Sequence, residues 1–555
     1  MPDKDGAGLW DRLTAPARTP GSSSLHCWTG DRYDAASWEA VVRDAEAMTA
    51  GLRRMGVRPG TRVATVMTNT PHAVRGLLGA WLAGGTVASL PVAARGMSAD
   101  DYVGQLASIA EHIDPVVFAV DADTLKLIPD DLRSRFRFHS WESFADSGRV
   151  TADPPGADEP AFVQYSSGST STPKGCVLTP NAICAQLDIV SSMIEVRPRA
   201  DVTVGWLPLS HDMGLFGLLL TSWSSDIECY LSTPQRFMFA PGTWFSDTAQ
   251  FGGTLTAGSP TGLYLAARSF GRRSVSGDRG LHQTRVCIVG AERVAHSILE
   301  YAVQALGPHG FRDTALMPSY GLAEATLAVT ATPLREKPRR LTVDAAALAN
   351  GELREADGDE RTQATVVSAG PVCKGVSLPG MRDGELTEIT VRSPSLALGY
   401  WGDERLTSER FTDGTLHTGD IGFLHAGDLY PVGRTDDVIS VAGRNVHTHE
   451  IEMAVDGIEG VRHGCSALVG HYEGAAFRLT LFVEVRGSKH EYRAMAEQAA
   501  SLAMAKAAVA IDECVFLGRN SLPKTPSGKI QRHRCREMLE KGQFELVSTV
   551  KLASM

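Results

Sequence analysis

Paired cysteines and metal-binding spacings are missing from this sequence of 555 residues. Its nine cysteines are scattered between Cys27 and Cys535, and none belongs to a Cys-x-x-Cys pair. This spacing argues against a disulfide framework and against a structural zinc site. We therefore expect reduced thiols that are mostly buried.

Concentrated positive charge is also missing. The chain has 54 Lys and Arg residues against 64 Asp and Glu residues, which gives a formal net charge of −10. Because contacts with phosphates of nucleic acids need clustered Lys and Arg side chains, nucleic acid is not expected as a partner. The hydrophobic share of 43% and the charged share of 21% are those of an ordinary globular protein.

Long uninterrupted apolar runs are scarce as well. The first residues lack the basic start and apolar run of a signal peptide, which predicts a cytoplasmic protein. The most apolar of the long uncharged stretches, 76–94, approaches the length of a membrane span, but glycines at 84–85 interrupt it. This pattern predicts an apolar helix over 73–82 and a buried strand over 86–91, and no membrane span.

The remaining sequence alternates helix-like segments with short apolar runs, which is typical of an α/β fold of doubly wound sheets. A charge-rich stretch at about 331–365 predicts a surface insertion or loop, and about 366–432 predicts a β-rich subdomain. The last part has its own alternation of strands and helices, enough for a small, mobile α+β domain. The predicted units are an N-terminal body over 1–432, a hinge over 433–436 and a C-terminal lid over 437–555.

The segment most indicative of chemistry is 165–175, YSSGSTSTPKG, directly after an apolar run. Small residues let backbone N–H groups face outward, and hydroxyls and an ammonium add donors for phosphate oxygens. The segment is not a Walker A loop, because Lys174 precedes Gly175. Its alternative interpretation is a solvated Ser/Thr linker. The candidate triphosphate-binding residues are Ser166, Ser167, Gly168, Ser169, Thr170 and Lys174.

Five further motifs follow in a fixed order. They are WLPLSHDMG at 206–214, PSYGLAE at 318–324, TGD at 418–420, GRTDD at 433–437 and PKTPSGK at 523–529. With the phosphate loop, they resemble the adenylate-forming superfamily of acyl-CoA synthetases, amino-acid adenylation domains, luciferase and fatty acyl-AMP ligases. The resemblance extends over nearly the whole chain. It implies an enzyme that uses ATP and Mg²⁺ to convert a carboxylic acid into an acyl-AMP and pyrophosphate.

The motifs also suit nucleotide chemistry residue by residue. The face of Tyr320 can lie on adenine, and Gly321 lets the backbone approach the nucleotide. Glu324 is a hard oxygen donor that suits Mg²⁺ on ATP phosphates, although a lone glutamate is usually a solvated helix-start residue. The carboxylate of Asp420 matches two ribose hydroxyls. The nucleotide-binding residues implied here are Ser319, Tyr320, Gly321, Asp420 and Arg434.

Lys529 is the principal catalytic candidate. The resemblance implies that it bridges the substrate carboxylate and the α-phosphate, where a fixed ammonium offsets the charge that develops in the transition state. Lys524, five positions earlier, is equally well described as an exposed surface lysine and receives no role. His447 and His449 are expected at a surface strand edge and not at a metal site. Asp436 occupies the hinge position.

The acid is expected in an apolar tunnel. The resemblance implies that His211 lines this tunnel near the reacting carboxylate in a positioning role, since the carboxylate is ionised at pH 7 and needs no base. Asp212 is expected to hold local structure. A medium or long aliphatic acid is the default substrate, and an aryl or polycyclic acid fits equally well. The pocket residues proposed are His211, Leu215, Phe216, Gly258 and Gly290.

The thiol acceptor depends on the branch of the superfamily. Ala323 in YGLAEAT and Ser171 in the phosphate loop resemble the fatty acyl-AMP ligases, which pass the acyl group to the phosphopantetheine of a carrier protein. Asp436 instead resembles the CoA synthetases, so coenzyme A remains the alternative acceptor. A catalytically silent acyl-adenylate binder and a luciferase-like oxidase are further alternatives. The silent binder is disfavoured because Glu324, Asp420, Arg434 and Lys529 are all retained.

Overall fold

The structure is a computed structural model of the chain. It describes residues 8–92, 99–144, 148, 150–165, 174–271, 280–349, 352–356, 362–435, 438–441, 444–473, 476–486, 491–507, 509–524 and 530–552. All nine cysteines are free thiols, and all except Cys184 are buried. Within the described ranges, no helix combines the length and apolarity needed to cross a membrane.

The described strands are numbered β1 to β26 in chain order. They are Ser24–Trp28, Tyr33–Ser37, Arg62–Val66, Thr86–Leu90, Val117–Val120, Phe138–Ser140, Phe162–Tyr165, Gly175–Leu178, Val202–Gly205, Glu228–Leu231, Leu255–Gly258, Val286–Val289, Leu316–Gly321, Ala328–Ala331, Arg340–Asp344, Gln363–Val367, Thr387–Val391, Phe411–Thr412, Thr415–His425, Asp428–Arg434, Val438–Val441, Arg444–His447, Val461–Glu473, Ala476–Val485, Glu513–Leu517 and Leu546–Lys551.

The described α-helices are numbered α1 to α17. They are Leu9–Thr14, Trp38–Arg54, Pro71–Leu82, Ala99–Ile113, Ala122–Leu127, Asp130–Arg135, Pro180–Met193, Thr221–Ser224, Pro234–Phe239, Thr243–Phe251, Pro260–Phe270, His296–Leu306, Ala345–Ala349, Glu404–Arg410, Thr448–Val455, Tyr492–Ala507 and Arg532–Glu540. A π-helix covers Met213–Leu220, and short 3₁₀ turns cover Ala15–Arg18, Trp141–Phe144, Gly307–His309, Asp313–Ala315 and Ala323–Ala325.

Two large sheets form the N-terminal part. The first has eight strands in the order β14-β13-β12-β11-β9-β10-β1-β2, parallel in its interior and antiparallel at both edges. The second has six strands in the order β6-β5-β3-β4-β7-β8. The strands β3, β4 and β5 are almost wholly buried, as expected for parallel strands covered by helices on both faces. The predicted doubly wound α/β fold class is confirmed.

Four helices of this part begin with the same local signal. A Thr or Ser accepts a hydrogen bond from the third following N–H group, and a proline occupies the first helical position. The pairs are Thr70-Pro71, Thr179-Pro180, Thr233-Pro234 and Ser259-Pro260. The last pair follows β11 directly and fixes where helix α11 starts. Pro260 and Thr261 consequently lie at the carboxyl edge of the eight-stranded sheet, where ligands of α/β proteins bind.

The segment predicted as a charged surface insertion or loop contains some regular structure. Strand β15 pairs antiparallel with β16, and helix α13 follows β15 directly. Their apolar side chains, including Val343 and Leu348, are buried against Phe423, Tyr430 and Val432 of the β-rich subdomain. The charged side chains counted in the sequence concealed this alternation of buried residues.

The β-rich subdomain is built on the long strand β19, which pairs with β17, β18 and β20. A separate C-terminal sheet has the order β23-β24-β25-β26, with helices α15, α16 and α17. Gly433 and Arg434, the start of the predicted hinge, are the last residues of β20. The rest of the predicted hinge includes Asp436, which lies outside the described residues. The exact limits of the predicted units stay a prediction.

Candidate active site

A cavity of about 480 Å³ lies between the carboxyl edge of the eight-stranded sheet, the β-rich subdomain and the C-terminal domain. This volume is in the range of small-molecule sites in proteins. Many of the residues predicted from sequence line it. They are Lys174, His211, Gly290, Ser319, Tyr320, Gly321, Glu324, Asp420 and Arg434.

Tyr320, Asp420 and Arg434 form one connected group in the wall. The Tyr320 hydroxyl donates to Oδ2 of Asp420 at 2.6 Å, and Nε of Arg434 lies 3.5 Å from Oδ1. The register of β19 and β20 places Asp420 opposite Arg434, so the ion pair follows from strand pairing. Burial and the neighbouring carboxylate raise the pKa of Tyr320 well above its usual value. Tyr320 therefore stays a donor that orients the carboxylate.

Glu324 lies in a second connected group. Its Oε1 accepts a hydrogen bond of 2.8 Å from the Tyr400 hydroxyl, and Nζ of Lys174 lies 5.9 Å from the centre of the Tyr400 ring. Burial, followed by the charge of Glu324, raises the pKa of Tyr400. The phenol therefore stays protonated and fixes the glutamate. Tyr400 carried no recognisable signal in the sequence, because it stands outside all six motifs.

Gly321 is required by a close backbone approach. A Cβ atom at this position would lie 1.9 Å from the carbonyl oxygen of Leu327, at the bulge between β13 and β14. The N–H group of Leu322 donates to the same oxygen at 2.9 Å. The sequence predicts that this glycine lets the backbone approach the nucleotide. The structure adds that the turn carrying Tyr320 and Glu324 itself needs glycine here.

His211 and Asp212 precede the π-helix. Asp212 accepts a hydrogen bond from the Met213 N–H group at 2.6 Å, and its Oδ1 lies 2.6 Å from Nδ1 of His211. The carboxylate thus holds both the helix start and the imidazole. The next helical residue, Gly214, has no room for a Cβ atom, which would lie 2.2 Å from the Pro208 carbonyl oxygen.

Three predicted pocket residues lie elsewhere. Leu215 and Phe216 are fully buried in the core between the two large sheets, and a Cβ atom at Gly258 would lie 2.3 Å from the Trp244 ring. They are absent from the residues that line the cavity. Leu215 and Phe216 lie between the lining residues Met213 and Gly217 of the π-helix, and Gly258 follows the lining residue Ala257 in β11, a distinction that sequence alone does not give. The apolar wall is instead formed by Val190, Met193, Met213, Gly217, Ala257, Ile288, Leu327 and Ala328.

The C-terminal domain supplies the opposite wall of the cavity. The sequence motifs do not predict the residues that form it. Glu452 is 4% exposed, and both of its oxygens accept hydrogen bonds from Arg532. Burial alone would raise the pKa of Glu452, but Arg532 and His449 lower it to about 2. His449 was expected at a surface strand edge; it lies in helix α15 and lines the cavity, which corrects that expectation.

Several predicted residues cannot be placed in this geometry. Lys529 and Asp436 lie outside the described residues. The same holds for part of the phosphate loop, namely Ser166, Ser167, Gly168, Ser169 and Thr170. Tyr165 and Lys174, which flank the gap in the phosphate loop, and Ile530, which follows Lys529, line the cavity.

The comparison with protein families agrees with this arrangement. Residues 13–401 match the family of AMP-binding enzymes. The chain belongs to the AMP-binding enzyme family. This AMP-binding enzyme is 32% identical over 416 residues to the medium-chain-fatty-acid–[acyl-carrier-protein] ligase JamA of Moorena producens, covering 70% of this chain and 69% of that protein. It is 28% identical over 562 residues to a 4-hydroxyphenylalkanoate adenylyltransferase of Mycobacterium marinum, covering 92% and 86%.

Solved structures show the same fold over nearly the whole length. A structure from work on the fatty acyl-adenylate ligases of E. coli and L. pneumophila matches with a TM-score of 0.88 and 26% identity, covering 97% of this chain and 99% of that one. The anthranilate CoA ligase AuaEII matches with a TM-score of 0.75 and 20% identity, covering 97% and 98%, which shows likeness of fold alone.

Proposed function

We propose that this AMP-binding enzyme activates a carboxylic acid with ATP to an acyl-AMP and then transfers the acyl group to a phosphopantetheine thiol. One observation carries the proposal. Tyr320, Asp420 and Glu324 line the same cavity as an apolar wall, and Tyr400 holds Glu324 from behind. This arrangement supports a polar nucleotide subsite beside an apolar acyl subsite, as an acyl adenylate requires.

The nucleotide half is held by the body. The oriented carboxylate of Asp420 accepts hydrogen bonds from the ribose hydroxyls, and the face of Tyr320 packs on adenine. Arg434 donates to the ribose or a phosphate. Lys174 and the phosphate loop, including Ser166 to Thr170, hold the triphosphate.

Mg²⁺ fits one position of this site. Among the described residues, no group of three or more His, Cys, Asp or Glu side chains could hold a metal alone. Mg²⁺ on ATP needs fewer protein ligands, because it is often bound by one carboxylate together with substrate phosphates. Glu324, fixed by Tyr400 in the cavity wall, is the residue that would hold it. When bound, Mg²⁺ neutralises charge on the phosphates.

The reaction has two steps. A carboxylate oxygen of the acid attacks the α-phosphorus, the bond from that phosphorus to the bridging oxygen breaks, and pyrophosphate leaves. Lys529 stabilises the charge that develops between the two anions, and His211 orients the carboxylate without acting as a base. The thiol sulfur then attacks the acyl carbon, its proton passes to solvent, and AMP leaves.

The acid has an apolar tail, of aliphatic, aryl or polycyclic type. The wall formed by Val190, Met193, Met213 and Ile288 offers no charged side chain to a tail. The names of the relatives cover both fatty and hydroxyphenyl acids. A carrier protein is the proposed acceptor, supported by the acceptor named for JamA. Free coenzyme A is the alternative that Asp436 favours.

Mass spectrometry of one reaction series tests the proposal. The enzyme is incubated with ATP, Mg²⁺ and a panel of fatty and aryl acids, alone, with coenzyme A, or with a phosphopantetheinylated acyl carrier protein. We expect an acyl-AMP that coenzyme A leaves unchanged and that the carrier protein consumes. If an acyl-CoA forms instead, the acceptor is coenzyme A and not a carrier protein. Absence of acyl-AMP with every acid would contradict the proposal.

A further inference from the structure

Lys524 is a buried lysine, contrary to the exposed surface lysine expected from the sequence. It is 5% exposed. Its ammonium donates to the backbone carbonyl of Gly464, and Nζ lies 3.2 Å from Sγ of Cys465. Both partners belong to strand β23. The side chain thus cross-links the segment before α17 to the C-terminal sheet.

Lys524 lies at the start of the segment that contains Lys529, and its backbone is paired with the residue at which that segment ends. Lys524 pairs with Ile530 in an antiparallel bridge, and the Gln531 N–H group donates to the Pro523 carbonyl oxygen at 3.0 Å. Residues 525–529 themselves lie outside the described part of the chain. The bridge nevertheless fixes where this segment leaves the domain and where it returns.

A second cation, Arg532, lies just after the other end of this segment. Nε of Arg532 lies 2.9 Å from Oε1 of the buried Glu452, and that oxygen also accepts from the Leu468 N–H group at 2.8 Å. Leu468, like Gly464, is in β23. The residues at both ends of the segment are therefore held to one strand, β23.

The part of β23 that Lys524 holds also meets the body beside the cavity. Gly464 has a φ of +66°, and a Cβ atom there would lie 3.6 Å from Oγ1 of Thr261. The His463 ring packs on Tyr264 with ring centres 4.6 Å apart. Asp456 accepts a hydrogen bond from the Gly464 N–H group at 2.6 Å. The same part of β23 therefore contacts both the body and Lys524.

We propose that Lys524 is a positioning residue for adenylation, which acts by holding the start of the segment that contains Lys529 to the same strand that docks on the body. The proposal rests on the proposed function and on the role given there to Lys529. Removing an ammonium from water is costly, and an apolar side chain at such a place is often no worse for stability. We therefore explain the burial of Lys524 by the segment containing Lys529 that it holds in place.

The first test separates the two half-reactions. In Lys524→Met, pyrophosphate release should fall about tenfold or more, while thioester formation from supplied acyl-AMP should stay within about twofold of the unchanged protein. Lys524→Arg should recover part of the loss. Lys541→Met, which removes an exposed ammonium of the same domain, should change neither step. Equal loss of both steps, or unchanged adenylation, would overturn the proposal.

Hydrogen exchange without substrate gives a second readout. In Lys524→Met, peptides covering 523–535 and 461–466 should exchange faster, while β24 exchanges as before. A uniform rise over the whole C-terminal domain, or no rise, would overturn the proposal. If Lys524→Met no longer unfolds in one cooperative thermal transition, Lys524→Gln is tested instead, by the two half-reactions and by hydrogen exchange. An unchanged protein that makes no acyl-AMP would refute the proposed function, whereas the exchange pattern would still decide the role of Lys524.

Discussion

The two walls of the cavity are built in different ways. In the body, contacts such as Tyr320 with Asp420 and Glu324 with Tyr400 join the eight-stranded sheet and the 3₁₀ turn after β13 to the β-rich subdomain. In the C-terminal wall, Glu452 pairs with Arg532 inside one small domain. This wall meets the body through contacts between side chains at the domain surfaces, such as the His463 ring on Tyr264.

This difference indicates that the two walls have different roles in the reaction. The body wall is pre-organised for the nucleotide regardless of the C-terminal domain, because its hydrogen bonds close within the body. The C-terminal wall is internally rigid and rests on the body through surface contacts, including Met453 against the helices α11 and α12 and Lys506 on the Gln363 carbonyl. Such contacts suit a domain that changes its orientation between two half-reactions.

The largest effect is expected from Lys529 of the predicted C-terminal unit. Lys529→Ala should lower adenylation by about 10²–10³-fold, the usual cost of losing one group that stabilises transition-state charge. Transfer from supplied acyl-AMP should remain, since that step does not join two anions. Pyrophosphate release and thioester formation measure the two steps separately. Equal loss of both would remove the assigned role.

The internal rigidity of the C-terminal wall can be broken at its ion pair. Glu452→Gln should lower the free energy of unfolding of this domain by about 3 kcal/mol at neutral pH, because the partly exposed Arg532 loses the charge of the buried carboxylate that it contacts. The folded-state pKa of about 2 lies below the ordinary 4.5. The stabilisation is therefore complete above about pH 4.5 and is lost as the pH falls towards 2.

Chemical denaturation at a series of pH values measures this effect. The difference between Glu452→Gln and the unchanged protein should shrink steadily between about pH 4.5 and pH 2. A difference that is constant over this range would show that the carboxylate charge is not the source of the stabilisation.

The body wall can be broken at Asp420. Asp420→Ala should lower kcat/KM for ATP about 30-fold, because it removes the proposed ribose acceptor and leaves the Tyr320 hydroxyl and Arg434 without their partner. Steady-state pyrophosphate release against ATP concentration measures the effect. Glu385→Ala, which removes an exposed carboxylate of the same subdomain, is the matched control. An unchanged kcat/KM would exclude Asp420 from nucleotide binding.

The link between the walls can be stiffened at Asp436. Asp436→Pro fixes φ at the predicted pivot. We expect adenylation to persist and transfer to fall about tenfold, because only the second step needs a new orientation of the C-terminal domain. Single-turnover measurement of each step checks this. Unaffected transfer would place the pivot elsewhere.

The smallest effect is expected from Tyr400. Tyr400→Phe removes the hydrogen bond to Glu324 but keeps the ring, so the Mg²⁺ concentration needed for half-maximal pyrophosphate release should rise about threefold. A loss as large as that of Asp420→Ala would mean that the phenol contacts substrate itself.

Motifs with strong local signals were recovered from the sequence. The apolar parallel strands and the glycine at position 321 are determined by neighbouring residues, so their patterns can be read from the sequence. Leu215 and Phe216 were placed in the pocket because both faces of an apolar helix look alike in sequence. Tyr400, Glu452 and the buried Lys524 depend on tertiary contacts made far along the chain, and their own neighbourhoods carry no signal for them.

The most direct test of the division between the walls is a binding measurement. Titration calorimetry would compare the affinity of a sulfamoyl analogue of the acyl-AMP, built with the acid found to be activated, for three proteins: unchanged, Lys529→Ala and Asp420→Ala. The account predicts that Lys529→Ala binds within about threefold of the unchanged protein, whereas Asp420→Ala binds about 30-fold more weakly. Equal weakening in both variants would contradict a body that is pre-organised for the nucleotide by itself.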